Sequence, residues 1–233
     1  MAETNLGAVA PFTWQQVAKM IDHTNLRPEA TAGQIVRLCD EAKEFGFGAV
    51  MVNTSYVSLA AEQLAGSNVT VGVVVGFPLG AALTSAKRFE AQEGLRLGAR
   101  EIDMVINIGA LKSGERKQVV SDVRAVAEAV HAGNALLKVI LETGLLTDDE
   151  KKLACELSVQ AGTDFVKTST GFLGGGATAA DVALMRAVVG PKVGVKASGG
   201  IRTAADARAM LEAGANRLGT SSGLKIVEEW RGH

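Results

Sequence analysis

Strand signals and helix signals alternate along this chain eight times, and that alternation leaves few folds open. Short apolar, β-branched runs occupy 20–26, 48–53, 69–77, 101–107, 136–142, 165–170, 193–198 and 217–221. Helix-like stretches separate them. The runs read as apolar on both faces, as strands do when helices cover both sides of a parallel sheet. Eight such β-α units predict one closed α/β domain over 1–233, a (β/α)8 or TIM barrel, with a short helical extension over about 1–19. An open doubly wound sheet is the alternative. The first strand is not followed by Gly-x-Gly-x-x-Gly, which argues against a dinucleotide-binding version of it.

The helix ends are written into the sequence. Thr31 reads as an N-cap before Ile35, Leu38, Ala42 and Phe45, with Gly46 as the stop. Thr147 with Glu150 has the capping-box spacing, and Thr178 with Asp181 and Thr203 with Asp206 are weaker copies. Val119, Val123, Val126, Ala127 and Val130 trace one helical face that Gly133 should close. A helix-ending glycine and a small residue recur before strands, as Gly98-Ala99, Gly162-Thr163 and Gly214-Ala215. The same turn from helix to strand is thus repeated, as a barrel requires.

Three lysines break the apolar strand pattern. Lys138, Lys167 and Lys196 each sit inside a strand run, 29 residues apart twice over. Equal spacing places them at equivalent points of successive units. Lysine is almost never fully buried without a partner, because desolvating an ammonium costs several kcal/mol or strips its proton. A dry lysine with a lowered pKa is what amine catalysis on a carbonyl needs. In a barrel, Asp103, Lys138, Lys167 and Lys196 would come from strands four to seven and could meet in one mouth. A salt-bridge cluster locking the interior is the purely structural alternative. Against three lysines, Asp103 is the one obvious carboxylate, and Glu142 could neutralise part of the excess. A carboxylate beside a free amine can move protons while the amine forms an imine and supports carbon–carbon cleavage.

A second set of signals concerns phosphate. Gly171 and Gly174-Gly175-Gly176 follow strand six, Gly199-Gly200 follow strand seven, and Gly219-Thr220-Ser221-Ser222-Gly223 follow strand eight. Barrels gather backbone N–H groups and a helix N-terminus for phosphate after strands seven and eight. Asp22-His23 on strand one could suggest a metal, but His131 and His233 offer no matching spacing. A hydrogen-bonded structural pair is the expected role of Asp22 and His23.

Bulk properties narrow the partners. Lys plus Arg number 24 against 25 Asp plus Glu, so no basic excess calls for nucleic acid or an anionic membrane. No apolar run reaches the roughly 18 residues of a transmembrane helix. Residues 1–12 carry an acid and no base, unlike a secretory signal. Two cysteines, Cys39 and Cys155, fall in helix-like stretches and read as packing thiols in a reducing, cytoplasmic setting.

The residues that carry these signals resemble the deoxyribose-phosphate aldolase family of class I, Schiff-base aldolases. The matching stretches include Ile21-Asp22-His23-Thr24-Asn25-Leu26, Val75-Gly76-Phe77-Pro78-Leu79-Gly80 and Glu101-Ile102-Asp103-Met104-Val105-Ile106-Asn107. They continue as Leu137-Lys138-Val139-Ile140-Leu141-Glu142-Thr143, Phe165-Val166-Lys167-Thr168-Ser169-Thr170-Gly171-Phe172, Val195-Lys196-Ala197-Ser198-Gly199-Gly200-Ile201-Arg202 and Arg217-Leu218-Gly219-Thr220-Ser221-Ser222. The resemblance spans roughly 14–227. It implies a TIM barrel without cofactor or metal that reversibly cleaves 2-deoxy-D-ribose 5-phosphate to acetaldehyde and D-glyceraldehyde 3-phosphate. It implies that Lys167 forms the Schiff base, Lys196 perturbs it and shuttles protons, Asp103 donates and accepts protons, and Lys138 pairs with the aspartate. Gly171, Gly199, Gly200, Ser221 and Ser222 would hold the phosphate. A homo-oligomer, dimer or tetramer, is implied as well.

Two departures are expected to matter. Phe172 stands where some members carry a lysine, which would shift phosphate binding onto backbone N–H groups and hydroxyls. The chain ends Glu229-Trp230-Arg231-Gly232-His233, without the terminal tyrosine of some members. Two other functions stay open on the same barrel. One is a metal-dependent sugar-phosphate isomerase or epimerase using His23, Asp103 and Glu142 as ligands. The other is a non-catalytic phosphosugar-binding protein, which would have no use for three interior lysines.

Overall fold

The computed structural model describes residues 12–232. Its strands are β1 Ile21–Asn25, β2 Ala49–Val52, β3 Thr70–Val75, β4 Glu101–Val105, β5 Leu136–Ile140, β6 Phe165–Lys167, β7 Gly194–Ser198 and β8 Arg217–Thr220. All pair in parallel and in sequence order, and β8 closes on β1. The helices around them are α1 Trp14–Met20, α2 Ala32–Phe45, α3 Val57–Gln63, α4 Thr84–Arg96, α5 Ile108–Lys112, α6 Arg116–Ala132, α7 Asp148–Ala161, α8 Ala179–Val189, α9 Ala204–Glu212 and α10 Gly223–Arg231. The alternation of strand and helix is therefore that of a TIM barrel, and the open sheet is ruled out. Part of the expected N-terminal extension is α1, and the rest lies outside the described residues. Among the described residues no helix is long and apolar enough to cross a membrane.

Capping follows local chemistry. Thr31, Thr147 and Thr203 close reciprocal capping boxes with Gln34, Glu150 and Asp206, and Thr178 accepts from the Asp181 N–H. Each such cap is worth about 1 kcal/mol. Gly46, Gly98, Gly162 and Gly214 take positive φ at the helix-to-strand turns. Gly133 differs from the reading above. Its φ is −89°, and the left-handed residue is the one that follows it, Asn134, at 52°. Asparagine tolerates that conformation through its short polar side chain.

Register decides which side chains fill the barrel. Asp22 pairs with Gly219, Met51 with Thr24 and with Gly72, and Val74 with Asp103. Asp103 pairs with Lys138, Lys138 with Phe165, Lys167 with Lys196, and Lys196 with Arg217. Paired residues share a face, and positions two apart share it too. One continuous inward ring follows, and it contains every lysine singled out above. The main apolar core lies between the barrel's outer face and the helices, while Leu26, Met51 and Val74 form a separate small cluster. Met51 reaches its place because Gly72 has no side chain. A Cβ there would lie 2.2 Å from the Met51 sulfur. Cys39 and Cys155 are buried, unpaired thiols on α2 and α7, as packing roles require.

Candidate active site

The interior lysines meet one another around shared carboxylates. Asp103 Oδ2 accepts from Lys167 Nζ at 2.8 Å and from Lys196 Nζ at 2.7 Å, and its Oδ1 accepts from Lys138 Nζ at 3.0 Å. Lys138 also donates to Glu101 at 2.5 Å and lies 3.7 Å from Asp22. Lys196 pairs with Asp22 as well. Arg217 donates through Nε to Asp22 at 2.8 Å and through its terminal nitrogen to Glu101 at 3.0 Å. The sequence reading thus placed the three lysines and Asp103 together correctly, but undercounted their counter-charges.

Asp22 is the first correction. It is not hydrogen-bonded to His23, because adjacent strand residues point to opposite faces. Asp22 faces the lysines, whereas His23 faces outward and bonds Glu41 at 2.8 Å. Glu142 is the second correction. It does not neutralise the lysines but accepts from the N–H and hydroxyl of Thr170, from a backbone φ of 60°. His23, Asp103 and Glu142 therefore face three different surroundings and do not converge as a ligand set. Among the described residues no three His, Cys, Asp or Glu side chains are grouped to hold a metal.

Charge counting shows what the network does. It contains the four cations Lys138, Lys167, Lys196 and Arg217 and the three carboxylates Asp22, Glu101 and Asp103. A buried site disfavours the surplus positive charge, so one cation should give up a proton. Arginine does not do so in proteins. Lys138 touches three carboxylates and Lys196 two, whereas Lys167 touches only Asp103. Lys167 is the least compensated. Burial pushes it down to about 8, with Asp103 opposing and Lys196 adding to the fall. Burial also works against the Lys138 ammonium, but Asp103, Glu101 and Asp22 outweigh it and raise its pKa. Burial would raise Asp103, yet Lys138, Lys167 and Lys196 hold it well below the usual carboxylate range. Neutral Lys167 balances the set.

Lys167 is also the lysine that meets solvent. It ends β6, and it lines a cleft of about 740 Å³ at the C-terminal mouth of the barrel. The same cleft is lined by Thr170, Gly171, Gly199, Gly200 and Ser221. Lys138, Lys196 and Asp103 lie buried behind. Ser222 does not line the cleft but sits next to it as the residue before α10, its N–H bonded to Thr220 Oγ1 at 2.9 Å. Gly176 and Gly199 bring the two glycine loops into backbone contact. A Cβ on Gly176 would lie 2.6 Å from the Gly199 carbonyl oxygen.

Other features of the mouth lay beyond the sequence reading. Arg27, Arg37 and Arg202 line the cleft together with Phe172, so long basic side chains are present at its rim, where backbone N–H groups and hydroxyls alone were expected. Phe172 packs edge-on against Phe77 at 5.1 Å. Strand period would have found Glu101, two before Asp103, and Arg217, two before Gly219. The arginine rim has no comparable signal, since Arg37 comes from α2 and Arg27 and Arg202 from the segments after β1 and β7. The C-terminal helix turns away from the mouth. Trp230 donates to the Phe12 carbonyl at 2.9 Å and Arg231 stacks on Trp14, so the described end of the tail is fixed to α1.

A barrel whose mouth presents one poised lysine over a buried carboxylate–lysine network, with glycine loops beside it, is the architecture of an imine-forming enzyme. Comparison with known proteins narrows the class. The DeoC/LacD family aldolase profile matches residues 16–229, and this chain belongs to that family. It is 58% identical to the deoxyribose-phosphate aldolase of Listeria monocytogenes serotype 4a (strain HCC23) over 211 residues, which cover 91% of this chain and 94% of that protein. It is 58% identical to the enzyme of the same name from Halalkalibacterium halodurans over 214 residues, 91% of this chain and 95% of that one. A tetrameric deoxyribose phosphate aldolase from Aeropyrum pernix superposes with a TM-score of 0.88 at 35% identity, covering 94% of this chain and 92% of that one.

Proposed function

We propose that this aldolase reversibly cleaves 2-deoxy-D-ribose 5-phosphate to acetaldehyde and D-glyceraldehyde 3-phosphate. The observation that carries the reading is Lys167, the least compensated cation of a buried network and the one lysine of the three that reaches the cleft. Its free amine attacks C1 of the open-chain sugar, and loss of water gives an iminium. Removal of the proton from the 3-hydroxyl then breaks the C2–C3 bond. Glyceraldehyde 3-phosphate leaves, and the bonding electrons pass into an enamine. Protonation at C2 and hydrolysis release acetaldehyde and restore Lys167.

Asp103 and Lys196 share a hydrogen bond with each other, and Asp103 a second with Lys167. We assign them the proton transfers, directly or through water. Lys138 holds the far oxygen of Asp103. Gly171, Gly199, Gly200, Ser221 and Ser222 are assigned to the phosphate, with the N-terminus of α10 behind them. The names of the relatives, and the glycine loops and Ser221 beside Lys167 in the cleft, support the substrate. A homo-oligomer is proposed by analogy with the Aeropyrum tetramer, and a cytoplasmic setting from the unpaired cysteines.

The test is steady-state cleavage of 2-deoxyribose 5-phosphate and of unphosphorylated 2-deoxyribose, with acetaldehyde measured as product. The phosphorylated sugar should be turned over far better, and Ser222→Asp should harm it much more than the neutral sugar. Absence of acetaldehyde would refute the substrate reading. Equal losses on both sugars would refute the phosphate assignment.

A further inference from the structure

The buried network extends to the end of the barrel opposite the cleft. Glu101 is the first residue of β4 and Arg217 the first of β8, at the N-terminal ends of their strands. Neither lines the cleft. They bind each other at 3.0 Å, and each holds a member of the upper network: Glu101 holds Lys138 at 2.5 Å, and Arg217 holds Asp22. We infer that Glu101 and Arg217 are positioning residues that, without touching substrate, set how many protons the network retains and so whether Lys167 stands as an amine. The inference rests on Lys167 being the imine-forming residue.

The argument is one of balance in a closed space. Around Lys167, β1 contributes Asp22, β4 contributes Glu101 and Asp103, β5 Lys138, β7 Lys196 and β8 Arg217. Strands β2 and β3 contribute the apolar Met51 and Val74. Beyond the strands, Glu142 is occupied by Thr170, Arg37 is paired with Glu41, and Arg27 and Arg202 line the same cleft; none of these is altered in the variants below. Glu101 and Arg217 carry opposite charges in the same place, so their removal must push Lys167 in opposite directions. Loss of Glu101 leaves a larger positive surplus and disfavours the Lys167 ammonium. Loss of Arg217 leaves three cations against three carboxylates, and the Lys167 proton is then retained. A merely structural role would damage the enzyme in the same direction for both.

The experiment reads the amine directly. The protein is treated with acetaldehyde and cyanoborohydride across a pH series, and the rate of ethylation at Lys167 is followed by peptide mass spectrometry. The wild-type midpoint should lie near 8, the value to which burial pushes Lys167. Glu101→Gln should move it down and Arg217→Met up, each by about one pH unit, because each variant removes a unit charge that lies one ion-paired residue beyond the groups Lys167 touches. The double variant should return toward wild type, and Glu101→Asp and Arg217→Lys, which keep the charges, should leave the midpoint in place. If Arg217→Met does not fold, Glu101→Gln against Glu101→Asp decides: a fall supports the inference, and no shift or a rise overturns it. Shifts in a common direction, or none, would also overturn it. A wild type that titrates while the variants do not move removes this inference alone. A wild type never ethylated at Lys167 removes the function reading with it.

Discussion

Strands β2 and β3 fill the barrel with Met51 and Val74, and Leu26 joins them from the end of β1. Strands β4 to β8 fill it with Glu101, Asp103, Lys138, Lys167, Lys196 and Arg217, and Asp22 closes the set from β1. Both regions are packed and nearly dry. The apolar side needs no partners, and burying such a side chain contributes about 1.5–3 kcal/mol. The charged side must recover a desolvation cost of several kcal/mol per ion through mutual pairing, and apolar residues of similar volume often serve stability as well or better. Its retention is explained by what one incompletely paired amine can do at the mouth, not by what the pairs add to folding.

This contrast can be broken from either side. Asp103→Asn removes the carboxylate shared by all three lysines, and cleavage should fall about 10²–10⁴-fold, the range for a lost proton-transfer group. Kinetics beside circular dichroism would check it, and a folded variant with near-normal kcat would take Asp103 out of the reaction. Met51→Ala cuts into the apolar side and leaves a cavity. It should cost about 2–5 kcal/mol in urea unfolding while changing kcat little. A catalytic loss matching that of Asp103→Asn would mean the two sides do not divide stability from chemistry.

Much of this division was legible in the sequence, for a physical reason. Period-two alternation and equal spacing of Lys138, Lys167 and Lys196 are local properties, and parallel register carries them into one ring. The threonine caps and helix-ending glycines were legible for the same reason, apart from the shift from Gly133 to Asn134. Asp22 was misread because its neighbour His23 offered a plausible partner, and only the facing of β1 separates them. Glu142 was misread because proximity along β5 does not fix direction once the backbone turns left-handed at its end. Arg27, Arg37 and Arg202 could not be found at all, since the cleft they line exists only after closure.

The central claim is that Lys167, alone among the three interior lysines, is free to form an imine. Acetaldehyde with borohydride, followed by proteolysis and mass mapping, tests it most directly. The account predicts one ethyl group, carried by Lys167 and lost in Lys167→Leu. An ethyl group on Lys138 or Lys196 instead, or none on any of the three, would contradict it.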